Sequence, residues 1–156
     1  MEALLRSSQY EVSNRPCAFT SKRYPMASCT LATEQPVNEC QPCSDEEILR
    51  SYCSSDFVIQ GTVSALNHNV STQTSELTIR TTSIKIDSAH KSWANVKYVT
   101  LHRPLKCGTK AGMGEFLFLG RWRLGHPIVH CAPRLSYWKE IRRKAIESKT
   151  NLCQLD

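Results

Sequence analysis

The sequence predicts a mainly β domain with flanking helices, in which five strands form a strongly bent antiparallel sheet that closes into an OB-like barrel. Three observations predict it. From residue 40 onward the periodic segments run helix, five strands, helix. The longest strand segment changes its apolar parity halfway, as a strand bending round a barrel must. Eight cysteines among 156 residues are many for so small a chain, and they suggest a disulfide-stapled fold.

The first helix starts at "SDEE". Ser44 can accept the amide of Glu47 while the Glu47 carboxylate reaches back, a capping box. Asp45, Glu46 and Glu47 also suit the positive end of the helix dipole, so this acidic cluster reads as a cap rather than an acid–base pair. Ile48, Leu49 and Tyr52 follow at helical spacing, with Cys53 one turn after Leu49.

"DFVIQGTVSAL" alternates as a strand, with Phe57, Ile59, Gly61 and Val63 on one side. "NHNVSTQT" is a polar turn. "SELTIRTTSIKID" sets Leu77 and Ile79 on one parity, Ile84 and Ile86 on the other, and a β-bulge near Thr81–Thr82 absorbs the shift. "VKYVTLHR" and "EFLFLG" are further strands, the latter apolar on both faces, and "HPIVHC" is a short fifth. Pro133 opens the last helix, whose Leu135, Trp138, Ile141, Ala145 and Ile146 share one face.

Composition narrows the function. Apolar residues make up 40% and charged residues 22%, as in ordinary globular proteins. No apolar run approaches the roughly 18 residues needed to span a bilayer, which predicts no membrane insertion. The opening "MEALLRSSQYEVSN" lacks the apolar core of about 7 to 15 residues found in signal peptides. By itself that opening predicts a cytosolic protein. Residues 1–39 carry four basic and four acidic side chains, so the whole net charge of +6 falls on residues 40–156. Such a surface attracts polyanions: nucleic acid, heparan-type glycans or acidic lipid. Residues 1–39 show no sustained period and read as a weakly structured lead-in. Cys17 and Cys29 within it are a candidate pair.

The remaining six cysteines decide the compartment. A zinc site would join Cys40 and Cys43 with His126, His130 or Cys131. There is no second C-x-x-C, and those ligands lie far apart in sequence. A thioredoxin-like pair would need a preceding strand of a βαβ unit, which is absent. Cys40, Cys43 and Cys53 cluster at the front of the domain, while Cys107, Cys131 and Cys153 are spread through its second half. That layout favours disulfides tying the front onto the barrel and the last helix. Such bonds persist only in an oxidising compartment, where Asn69, in the sequon "NVS", is a candidate glycosylation site.

"ECQPCSDEEILRSYCSSDFVIQGTV", "LHRPLKCGTKAGMGEFLFLG" and "HCAPRLSYWKEIRR" together resemble the C-terminal netrin-like (NTR) domain of the meteorin and meteorin-like proteins. The likeness spans about residues 38–154, which sets an NTR domain at 38–156 after a lead-in at 1–37. It implies an OB-like barrel of the NTR type with terminal helices. It also implies bridging of first to fourth, second to fifth and third to sixth cysteine, that is Cys40–Cys107, Cys43–Cys131 and Cys53–Cys153. Meteorins carry a signal peptide and a larger CUB-like region upstream. Residues 1–37 match neither, so relative to the family the sequence reads as N-terminally truncated.

The resemblance implies a secreted signalling protein, hormone-like or neurotrophic. Such a protein would act on glial differentiation, neurite growth, or metabolic and immune tissue through a cell-surface receptor. A second reading is a protease inhibitor of the NTR type. That mechanism needs a free N-terminal cysteine amine, whereas Cys40 follows 39 residues. A third is an OB module binding nucleic acid or heparin through Arg121, Arg123, Arg142, Arg143 and Lys144. Disulfide-rich domains rarely meet nucleic acid, so a glycan is the better expectation. No cofactor and no enzyme activity are expected. His68, His90, His102, His126 and His130 show no spacing to a nucleophile or carboxylate that sets them apart from surface histidines.

Overall fold

The computed structural model describes residues 40–88 and 93–156. The lead-in, with Cys17 and Cys29, and His90 lie outside these residues. Helix α1 spans Asp45–Ser54. Strands β1 (Phe57–Asn69) and β2 (Thr74–Asp87) follow, then β3 (Tyr98–Pro104) and a short 3-10 turn at Leu105–Cys107. Strands β4 (Phe116–Arg123) and β5 (His126–Cys131) precede helix α2 (Leu135–Glu147).

The capping box forms at the start of α1. The Glu47 amide donates to Ser44 Oγ at 3.2 Å, and the Ser44 amide donates to Glu47 Oε2 at 2.8 Å. These bonds to Ser44, backbone first, hold the Glu47 carboxyl below its ordinary pKa. Nothing comparable caps α2, which begins after Arg134 with no side-chain bond.

The sheet is five-stranded and closes on itself in the order β1-β2-β3-β5-β4, with β4 pairing back onto β1. The expectation of a wholly antiparallel sheet fails at one seam, where β3 and β5 pair in parallel through His102 and Ile128. The reason is parity: a ring of five strands cannot alternate direction at every pair. Bulges do the bending. Gln60 faces Ser83 and Gly61 faces Thr81, so Thr82 is the extra residue, inside the stretch where the sequence changes parity. Two further slips, at Lys85 and at Ser64, curve the same β1–β2 ribbon.

Two cores result. Inside the closed sheet lie Phe57, Ile59, Leu77, Ile79, Val99, Leu101, Phe118 and Val129. Outside it, α1 and α2 cover Val58, Leu117, Leu119 and Cys131 with Ile48, Tyr52, Trp138, Ile141 and Ala145. This explains why "FVI" and "FLFL" are apolar on both faces: alternate side chains enter different cores. Gly120 fits between them for lack of room, since a Cβ there would strike the Ile128 carbonyl oxygen and the Phe57 ring. Ile146 departs from the expected apolar face of α2 and is 46% exposed. It lies one position beyond Ala145, about 100° round the helix.

Candidate binding surface

The cysteine positions are fixed by the elements around them. Cys43 sits just before the α1 cap and Cys53 in its last turn, while Cys131 ends β5. Disulfides join Cys40 to Cys107, Cys43 to Cys131 and Cys53 to Cys153, closing separations of 67, 88 and 100 residues. The order is first to fourth, second to fifth and third to sixth. None of these sulfurs is a thiolate, so the zinc and redox alternatives at Cys40 and Cys43 have no ligand or nucleophile to use. A loop of this size restricts the unfolded chain by an amount worth about 4 kcal/mol in the chain-entropy account.

An open cleft of about 360 Å³ lies beside the first two bonds, lined by Cys40, Cys43, Arg103, His130, Pro133 and Tyr137. His130 reaches it because Leu119 pairs with Cys131 while Gly120 pairs with Val129, which leaves His130 as a bulge. Burial pushes the Arg103 guanidinium below its ordinary pKa, yet an arginine stays charged. Across the cleft, Tyr137 donates its hydroxyl to Asp45, and this bond raises the phenol pKa.

The histidines are not alike. His68 Nδ1 lies 2.8 Å from the Ser75 hydroxyl. Ser75 is fully buried, so the pair satisfies a buried hydroxyl and offers no nucleophile to a substrate. The His102 and His126 rings meet edge to face at 5.1 Å. Burial first, then His126, lowers the His102 pKa, while Glu76 opposes the shift. Among the described residues no group of three His, Cys, Asp or Glu is placed to hold a metal ion. No helix among them is long and apolar enough to cross a membrane.

The five expected polyanion-binding residues fall into two sets. Arg121 and Arg123 are exposed at the far end of β4. On α2, Arg143 bridges Glu140 at 2.9 Å and Glu147 at 2.7 Å, and Lys144 Nζ lies 3.8 Å from Glu140. Arg142 donates to the Leu155 carbonyl. Trp122, between the two β4 arginines, turns inward against Trp93, with centroids 5.2 Å apart. Asn69 ends β1, and its Oδ1 accepts from the Ser71 amide and hydroxyl and the Thr72 amide.

A small β domain held by three long-range disulfides, with two helices against one side of a closed sheet, is the class of protein that these features define. Residues 42–145 match the family model described as "Meteorin, C-terminal domain". A meteorin-like protein of Xenopus laevis is 35% identical over 123 residues, covering 74% of this chain and 42% of the relative. Meteorin of Rattus norvegicus is 33% identical over 125 residues, covering 74% and 41%. Meteorin of Homo sapiens is 32% identical over 121 residues, with the same two shares. The chain belongs to the meteorin family. It spans about two fifths of the length of these relatives.

Proposed function

We propose that the chain is the netrin-like part of a secreted, meteorin-type signalling protein that acts through a cell-surface receptor. Its activity would be neurotrophic or hormone-like: glial differentiation, neurite growth, or metabolic and immune signalling. Heparan-type glycans are its second class of partner, and Asn69 is its glycan acceptor. The observation carrying this reading is family membership over a domain whose six described half-cystines all lie in disulfides. Such bonds favour the extracellular side of a membrane. The strand order, with β5 inserted beside β3, supports an OB-like barrel of the NTR type, a Greek-key scaffold that presents binding surfaces.

The test is a cell assay with the exported, oxidised protein on responsive glial or neuronal cells, using a full-length meteorin as reference. A response at concentrations comparable to the reference supports the reading. No response at a concentration about a hundredfold higher, from protein that binds and folds normally, overturns it for this chain.

A further inference from the structure

We infer that the outer face of β2, β3, β5 and the end of β4, and not helix α2, is the surface on which the protein holds a sulfated glycosaminoglycan. Side chains alternate along a strand. Leu77 and Ile79, Val99 and Leu101, Val129, and Phe118 enter the inner core. Their neighbours therefore face out: Arg80 on β2, Tyr98 and His102 on β3, His126 on β5. On β4, Leu117 and Leu119 lie under the helices, and Arg121 and Arg123 continue that outer row beyond the helical cover.

The register makes one surface of them. Arg123 is opposite His126 and Arg121 opposite Ile128. His126 meets the ring of His102, and Arg80 is opposite Tyr98. Lys97 Nζ lies 5.6 Å from the Tyr98 ring centroid. Four strands at about 4.8 Å spacing make a band some 15 Å across.

Its charge is mainly positive. In the segments 74–80, 98–104, 116–123 and 126–131 the sole carboxylate is Glu76, which sits opposite His102, and at the β4 edge the Asp56 carboxylate accepts the Trp122 amide at 2.9 Å. Among the described residues Arg80, Arg121 and Arg123 make no ion pair. Those on α2 differ, because Glu140 and Glu147 already neutralise Arg143 and Lys144. A polyanion recruits unpaired cations and would have to displace the paired ones. The face carries a single exposed aromatic, Tyr98, with Trp122 turned inward, so it lacks the stacking platform that single-stranded nucleic acid uses. Thr78 and Thr100 hydroxyls, between the basic rows, suit sulfate oxygens.

Two triple variants that remove equal charge test this. One is Arg80→Ser, Arg121→Ser, Arg123→Ser; the other is Arg142→Ser, Arg143→Ser, Lys144→Ser. Binding of a defined heparin oligosaccharide is measured by titration calorimetry at 150 mM salt, after thermal melts have verified folding. If loss of the Arg142 bond to Leu155 unfolds the second variant, Lys139→Ser with Arg143→Ser and Lys144→Ser replaces it at equal charge. The sheet variant is expected to lose more than about tenfold in affinity and the helix variant less than about twofold. Equal losses, or a larger loss from the helix, overturn the assignment of the surface. The inference rests on the glycan part of the proposed function: a wild-type protein that fails to bind heparin sinks both, whereas binding with the wrong variant pattern sinks only the surface.

Discussion

The indole of Trp138 lies flat on the ring of Tyr52, with centroids 4.7 Å apart and planes inclined by 12°. One ring comes from α2 and the other from α1, so this stack is where the two helices become a single layer over the sheet. Both residues are nearly inaccessible, at 3% and 2%. Leu155 is buried in the same cluster, which draws the C-terminal segment into the same core. Trp138→Ala is expected to cost about 3–5 kcal/mol by cavity formation. Denaturant unfolding with the disulfides intact measures it. A cost below about 1 kcal/mol would show that the Tyr52–Trp138 stack does not anchor α2 to this layer.

The helix cap gives a second prediction. Ser44→Ala removes the acceptor for the Glu47 amide and should cost about 1 kcal/mol. Ser55→Ala, at the other end, leaves the Ser55 amide bond to the Ser51 carbonyl untouched and should cost less. Acid acts on the same cap. The folded-state pKa of Glu47 is depressed, so its contribution is present above the ordinary carboxylate range and fades as pH falls through the folded value. Equal costs for the two alanine variants would show that the box does not govern the start of α1.

These two features differ in how far they could be read beforehand. The cap is a local pattern of four residues, and "SDEE" contains all of it. Likewise the parity change from Leu77 and Ile79 to Ile84 and Ile86 marks the Thr82 bulge. The bulges at Lys85, Ser64 and His130 leave no such mark, because each is set by the partner strand. The parallel seam follows from ring closure, which a strand-by-strand reading does not impose. Trp122 stands between Arg121 and Arg123, and that alternation alone places it on the inner side. Compensation on α2 was also legible: Glu140 and Glu147 stand three residues before and four after Arg143, the spacing of helical ion pairs.

The β4–β5 hairpin turns on Leu124 and Gly125, both at positive φ, 50° and 81°. Arg123 pairs with His126, which makes this a two-residue loop of the type that favours Asn-Gly. Leucine is a poor choice there: its Cβ crowds the backbone in the left-handed region, and its side chain is 99% exposed. Leu124→Asn should therefore stabilise the protein by about 1 kcal/mol. A raised melting temperature is the expected result, and an unchanged or lowered one would show that the turn is not strained by leucine.

The last prediction concerns acid. His102 has its pKa lowered chiefly by burial and then by His126, against the pull of Glu76. A histidine held below its ordinary value is neutral in the folded protein and takes up a proton more readily when unfolded. The stability it contributes is therefore complete above the ordinary histidine range and is lost as pH falls through the folded value. Unfolding midpoints measured at pH 7.5 and 5.5 should fall for the wild type. His102→Gln cannot titrate, so its midpoint should fall by less over the same interval. If the wild type and His102→Gln lose stability in parallel, the acid sensitivity resides elsewhere, and the His102–His126 contact is indifferent to charge.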